Sequence, residues 1–226
     1  MLAGVSVSWY TWLEQGRPIN ASVDVLESLA RTLRLDEIER SHLLSLAGHA
    51  PRPRSSSGRR EVPPGIALLL RSLDPCPAYV LDQLWNVLAW NRSQQRLFPR
   101  FASIPAEQRN LVWIMFCDDD ARALIGDWDA EARRVLSQFR AETTALRDEP
   151  EFMDFVERLV ASSDDFARWW PAHDVGGFVE RERTFHHPQA GDLRFVTEQL
   201  IPVGDPDLRL IVHLGIDGDS SIARLA

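Results

Sequence analysis

Two hydrophobic periods run along this chain and divide it into segments. Between Ser22 and Leu33 the apolar residues Val25, Leu26, Leu29, Ala30 and Leu33 return every three or four positions, the period of one helical face. Ser22 stands where an N-cap hydroxyl accepts from the free amides of a first turn. A shorter helix is predicted before it, capped by Ser6, with Tyr10 and Leu13 on one face and Gly16 as its C-terminal stop. A third is predicted from Asp36, with Glu39 at capping-box spacing and Ile38, Leu43, Leu44 and Leu46 as its apolar stripe. Three helices this short enclose little core.

Residues 51–64, "PRPRSSSGRREVPP", break the pattern with proline, serine, glycine and arginine, which build no core, so they read as a linker. Beyond them a helix is predicted from Gly65 to Leu73. Two short strands follow, "AYVLD" and "VLAWN", joined by a turn at residues 82–86. From Asn91 to Trp170 the helical period dominates. Trp128, Ala132, Val135, Phe139 and Leu146 fall on one helical face. "LVWIMF", residues 111–116, is apolar all round and must be covered on every side. After Pro171 the period shortens to two. Strands are predicted at Phe178–His187, Leu193–Ile201 and Leu208–Ile216, the first two joined by the turn "HPQAGD". In the last one Leu208, Leu210, Val212, Leu214 and Ile216 point one way. Two strands, several helices and three strands make an α+β fold, one antiparallel sheet with helices on one side. The expected domains are residues 1–50 and 65–226, with the linker at 51–64.

Composition adds limits. At 45% hydrophobic and 26% charged over 226 residues, the chain is an ordinary globular one. No apolar run reaches the length of a membrane span, and no secretory signal is expected. Cys76 and Cys117 lie far apart, which fits reduced thiols and a cytoplasmic location. A net charge of −8 excludes indiscriminate coating of nucleic acid, although Arg52 to Arg60 holds four arginines and no acid. Enzyme signals are weak. His186 and His187 are adjacent, so on a strand they face opposite ways and share no metal. No cysteine or histidine pair has zinc spacing, and no nucleophile elbow, P-loop or dinucleotide fingerprint is present. The expectation is a protein without catalytic activity, metal or cofactor.

The phrases "LAGVSVSWYTWLEQGR" and "SVDVLESLARTLRLDEIERSHLLSLAG" resemble the later helices of a Cro-repressor-type (XRE) helix-turn-helix domain. "PAYVLDQLWNVLAWNR", "QRNLVWIMFCDDDAR", "DWDAEARRVLSQFRAE", "FARWWPAHDV", "HHPQAGDLRFVTEQL" and "DLRLIVHLGID" are similar to the ligand-binding domain of MmyB-like transcription regulators. The resemblance implies a bacterial one-component regulator whose C-terminal domain is PAS-like, a five-stranded antiparallel sheet with a helical layer around an apolar pocket. It also implies a lipid-like ligand, fatty acids in particular. The family pattern has a helix and most of a second one ahead of "LAGVS". A truncated helix-turn-helix is therefore expected here, through a start assigned too late or through real loss of the bracing helix. Trp12 stands where the family commonly carries arginine, which grips phosphate or guanine with two hydrogen bonds.

Carried onto this sequence, the recognition helix turns Val7, Ser8, Thr11 and Trp12 toward DNA, with Ser6 at its cap and Arg17 and Asn20 near phosphate. A double-stranded operator and a homodimer are the expected partners, and no membrane. In the larger half the aromatic helices either fill a core or line a cavity for a greasy guest. The residues expected at such a cavity are Trp90, Leu111, Ile114, Met115, Leu124, Trp128 and Trp170. Burying about ten methylenes yields roughly 8 kcal/mol before ordering costs. Arg92, Arg122 and His173 are candidate partners for a carboxylate head, with Asn91 and Asn110 as neutral donors. The alternative is a ligand-binding or protein-interaction module that no longer touches DNA.

Overall fold

The computed structural model describes residues 11, 12, 15, 21–35, 39, 40, 43, 44, 47, 60–172 and 176–225. The chain divides into two compact units, Met1–Arg52 and Pro53–Ala226.

In the first unit Thr11 and Trp12 are helical. Helix α1 spans Val23–Leu33 and buries Leu26, Leu29 and Ala30. Leu33, expected on the same face, is exposed. It is the last residue of the helix. Ser22 takes the N-cap position, but its hydroxyl makes no capping bond; its carbonyl accepts from Val25 and Leu26 instead. Arg34 closes the helix in the left-handed region (φ 56°), sending its N–H back to Ala30 and Arg31. Leu26 packs with Ala21 and Leu44, and Glu27 pairs with Arg40. Most of the expected first helix and the cap at Asp36 lie outside the described residues.

The second unit begins with α2 (Pro64–Ser72), whose proline supplies a first-turn residue that needs no N–H. Strands β1 (Ala78–Leu81), β2 (Val87–Trp90), β3 (Arg181–His187), β4 (Gly191–Leu200) and β5 (Arg209–Gly215) form one sheet in the order β2-β1-β5-β4-β3, antiparallel throughout. Because neighbours along a strand face opposite ways, β1 sends Tyr79 and Leu81 to one face and Ala78 and Val80 to the other. The first face meets the helical layer. The second is covered by α2, where Leu70 packs on Val80, Leu208, Leu210 and Val212.

That covering corrects the one-sided sheet expected from sequence. The leucine and valine row of β5 faces α2, while Ile211 and His213, between them, face the helical layer. Leu214, expected in the same row, is exposed. Residues 178–180 precede β3 without joining it.

The layer between β2 and β3 holds α3 (Arg92–Leu97), α4 (Leu111–Cys117), α5 (Asp119–Leu124), α6 (Trp128–Glu142), α7 (Pro150–Ser162) and α8 (Asp164–Trp169); α9 (Ser221–Leu225) follows β5. Helix α6 buries Trp128, Ala132, Val135 and Phe139 as the pattern predicts, but it ends at Glu142. Leu146 continues the stripe from a following 3-10 turn. Around them the aromatic rings lock in edge and stacked pairs, such as Phe116 on Trp128, Phe116 on Phe166 and Phe139 on Trp85. Gly126 lets the α5–α6 corner dock on β3. Its N–H donates to the Thr184 carbonyl at 2.9 Å, and a Cβ there would meet that oxygen at 3.0 Å.

Candidate functional site

The helices that follow β2 meet the sheet around a small pocket of about 60 Å³. Helix α3 and the 3-10 turn after it bring Gln94, Leu97, Phe98 and Phe101 to its wall. Helices α4 and α5 add Leu111, Ile114, Met115, Ala121 and Leu124, with Ile125 just beyond α5. The sheet floors it with Tyr79, Arg183, Phe185 and His213. Apolar wall and polar floor meet there because the inward rows of β1, β3 and β5 bring Tyr79, Arg183 and His213 to the pocket.

The floor groups are held in defined charge states. Burial, and then the Arg183 charge, pushes the His213 imidazole down to about 3, so it is neutral at pH 7. Its Nδ1 lies 2.9 Å from Thr197 Oγ1. Burial pushes the Tyr79 hydroxyl up to about 12, so it keeps its proton. Arg183 is the full charge of the pocket wall. Its side chain is 13% exposed and its Nε lies 3.5 Å from Glu131 Oε2, too long for a hydrogen bond. Gln94 Oε1 is buried with no hydrogen-bond partner among the described residues.

Glu131, on α6, holds the sheet through Arg181, whose Nε and Nη2 donate to its two oxygens at 2.9 and 2.6 Å. Arg134 adds a contact at 3.1 Å. Burial alone would raise the Glu131 pKa, but the Arg181 hydrogen bonds and the charges of Arg183, Arg181 and Arg134 hold it below the usual range.

Of the residues singled out in the sequence, Leu111, Ile114, Met115 and Leu124 line this pocket. Trp90, Asn91, Asn110, Arg122, Trp128 and Trp170 make contacts outside its lining. Trp128 donates to the Met115 carbonyl at 3.0 Å and lies under Arg122, whose guanidinium stands 3.7 Å from its ring and pairs with Asp165 at 2.8 Å. Trp170 stacks on Phe166, and Trp90 packs on Phe101 and donates to Gln95. Asn91 caps α3 and also binds Ala78 N–H and the Cys76 carbonyl. Asn110 caps α4 and reaches back to the Leu84 carbonyl. Arg92 is exposed. His173 lies outside the described residues, as do Ser6, Val7, Ser8, Arg17 and Asn20. Thr11 is half-buried and Trp12 is 44% exposed.

Arg183, Tyr79, Gln94 and His213 escaped the sequence reading. Alternation in β3 places Arg181, Arg183, Phe185 and His187 on one face, so Phe185 was the available signal that Arg183 points inward. His186 faces the other way and pairs with Asp192 at 2.7 Å, whereas His187 Nε2 donates to the Arg96 carbonyl. Among the described residues no cluster of three histidine, cysteine or acidic side chains is placed to hold a metal.

A larger groove of about 650 Å³ lies at the β1–β2 turn and the start of α7, floored by Phe152 and Phe155. Its Asp82 is spent on the turn, accepting from Leu84 N–H, Asn86 N–H and Asn86 Nδ2, and its Arg60 pairs with Asp205 and Asp207.

A helical N-terminal unit followed by an α+β unit with an internal apolar pocket is the plan of a ligand-responsive regulator. The chain belongs to the family of the MmyB-like transcription regulator ligand binding domain, whose model matches residues 62–226. A helix-turn-helix domain model matches residues 1–43. No curated protein matches the chain. Together the two domains make it a transcription regulator with a ligand-binding domain. Among the described residues no helix is long and apolar enough to cross a membrane.

Proposed function

We propose that this regulator senses a fatty-acid-like molecule in the pocket between α3, α4, α5 and the sheet, and reads a DNA operator through residues 1–50. The pocket carries this reading: an apolar wall assembled from three short helices, against a floor with a single buried cation. Its 60 Å³ is well below the roughly 150 Å³ of an apolar cavity that admits a benzene-sized guest. An aliphatic chain enters only if the walls part. Met115 suits that role, being unbranched and adaptable, and the helices around it are six or seven residues long. The strand order β2-β1-β5-β4-β3 around a helical layer supports a PAS-like sensor. The protein acts in the cytoplasm as a homodimer matched to a two-fold operator, with Thr11 and the exposed Trp12 on the DNA side. The ligand shifts the population between two packings of the helical layer, and does so only by binding one of them better.

Native mass spectrometry of the full chain titrated with dodecanoate tests the sensor. One bound molecule and a raised Tm are expected, and the absence of both sinks the aliphatic reading. Selection of duplexes from a random pool tests the reader. A palindromic consensus is expected, whereas recovery of random sequence would leave a module that binds ligand alone.

A further inference from the structure

The pocket has a charge imbalance as well as a shape. Three guanidinium groups converge on the single carboxylate of Glu131. Arg181 occupies both oxygens, Arg134 reaches one, and Arg183 stands at 3.5 Å without a hydrogen bond. Arg134 is half exposed, so water screens it. Arg181 and Arg183 are 18% and 13% exposed, and screening there is weak. The polar neighbours on the floor supply no negative charge, since Tyr79 keeps its proton and His213 is neutral. One nearly buried cation at the pocket wall therefore lacks a counter-charge of its own, which is costly in a low-dielectric setting.

Resting on the aliphatic reading above, we propose that Arg183 is the headgroup receptor and that it selects a monoanionic amphiphile over a neutral one. An anionic head supplies the charge that Glu131, committed to Arg181, does not. The guanidinium offers parallel N–H donors to a carboxylate, and its buried Nε has none of its hydrogen-bonding capacity used. An alcohol of equal chain length offers an acceptor but no charge, so it gains the apolar contacts and leaves the imbalance. Glu131 acts as the competitor, because any anion on Arg183 shares the cation with its carboxylate.

Calorimetric titration of the full chain with dodecanoate and with dodecan-1-ol, each below its micellar concentration, reads this directly. Wild type is expected to favour dodecanoate by at least about tenfold, the scale of one charge-assisted hydrogen bond. Arg183→Gln is expected to erase the preference, so that dodecanoate binds no tighter than dodecan-1-ol in that variant. Glu131→Gln keeps an acceptor for Arg181 but removes the competing charge, so it is expected to bind dodecanoate several-fold tighter. A merely structural Glu131 would not produce that gain. Equal affinity of wild type for the two probes, or a preference that survives in Arg183→Gln, overturns the headgroup role and leaves the aliphatic pocket standing. Failure of both probes to bind wild type overturns both. Should Arg183→Gln not fold, Glu131→Gln decides: unchanged or weaker dodecanoate binding overturns the proposal.

Discussion

Helix α6 carries a nearly buried carboxylate toward each end, and the two are completed in different ways. Glu142 accepts from Trp85 Nε1 at 3.0 Å, Gln138 Nε2 at 2.9 Å and Gln199 Nε2 at 3.2 Å, and pairs with Arg209 at 2.5 Å. One anion meets one cation, and neutral donors fill the remaining lone pairs. Glu131, 7% exposed, is instead met by three arginines. The first arrangement is electrically closed. The second carries an excess of positive charge, and it is the one beside the pocket. A buried ion pair is weak evidence for stability when closed. Left open, it marks where a further charge is wanted.

Substitutions that neutralise the cation at each end should therefore diverge. Arg209→Met removes the single cation of the closed end and strands Glu142, so it is expected to cost about 3–5 kcal/mol in urea unfolding. Acid titration of stability comes next. A histidine whose folded pKa of about 3 lies below the ordinary 6.5 protonates first in the unfolded chain. Stability present above pH 6.5 should fall as pH drops toward 3, and the fall should be shallower in His213→Asn. An identical acid profile in the two proteins would contradict a buried neutral His213. Arg183→Met relieves the open end, and is expected to leave the unfolding free energy within about 1 kcal/mol of wild type, or to raise it. If it destabilises as much as Arg209→Met, the two ends are equivalent and the contrast fails. Arg134→Ala, half exposed at the open end, should change stability by no more than about 0.5 kcal/mol, measured by the same unfolding.

Much of the architecture could be read from spacing. The α6 stripe and the three late strands appear near their expected places, because each depends on neighbours within a few positions, whereas the helix expected to be covered all round buries Val112, Ile114, Met115 and Phe116 and leaves Leu111 and Trp113 half-buried. The site was less legible. Leu111, Ile114 and Met115 were visible as an apolar helix that something must cover. The tryptophans drew attention by size, yet Trp128 lies in the core and Trp170 packs half-buried against it, since large rings find partners wherever helices cross. Arg92 and Arg122 were the arginines expected as headgroup partners. Arg122 instead covers an indole and pairs with Asp165, while the arginine at the pocket sits on a strand.

Local period was enough to state that this chain is α+β, because helix and strand are chosen by contacts a few residues apart. It did not show that α2 would close the far face of the sheet, nor that Arg183 would face an apolar pocket with its carboxylate already taken. The first needs Leu70 to meet Leu208 and Leu210, far along the chain, and the second needs Glu131 and Arg181, 50 residues apart, to meet through the docking of α6 on β3. Charge balance in a folded interior is a sum over such meetings, and no stretch of chain contains it.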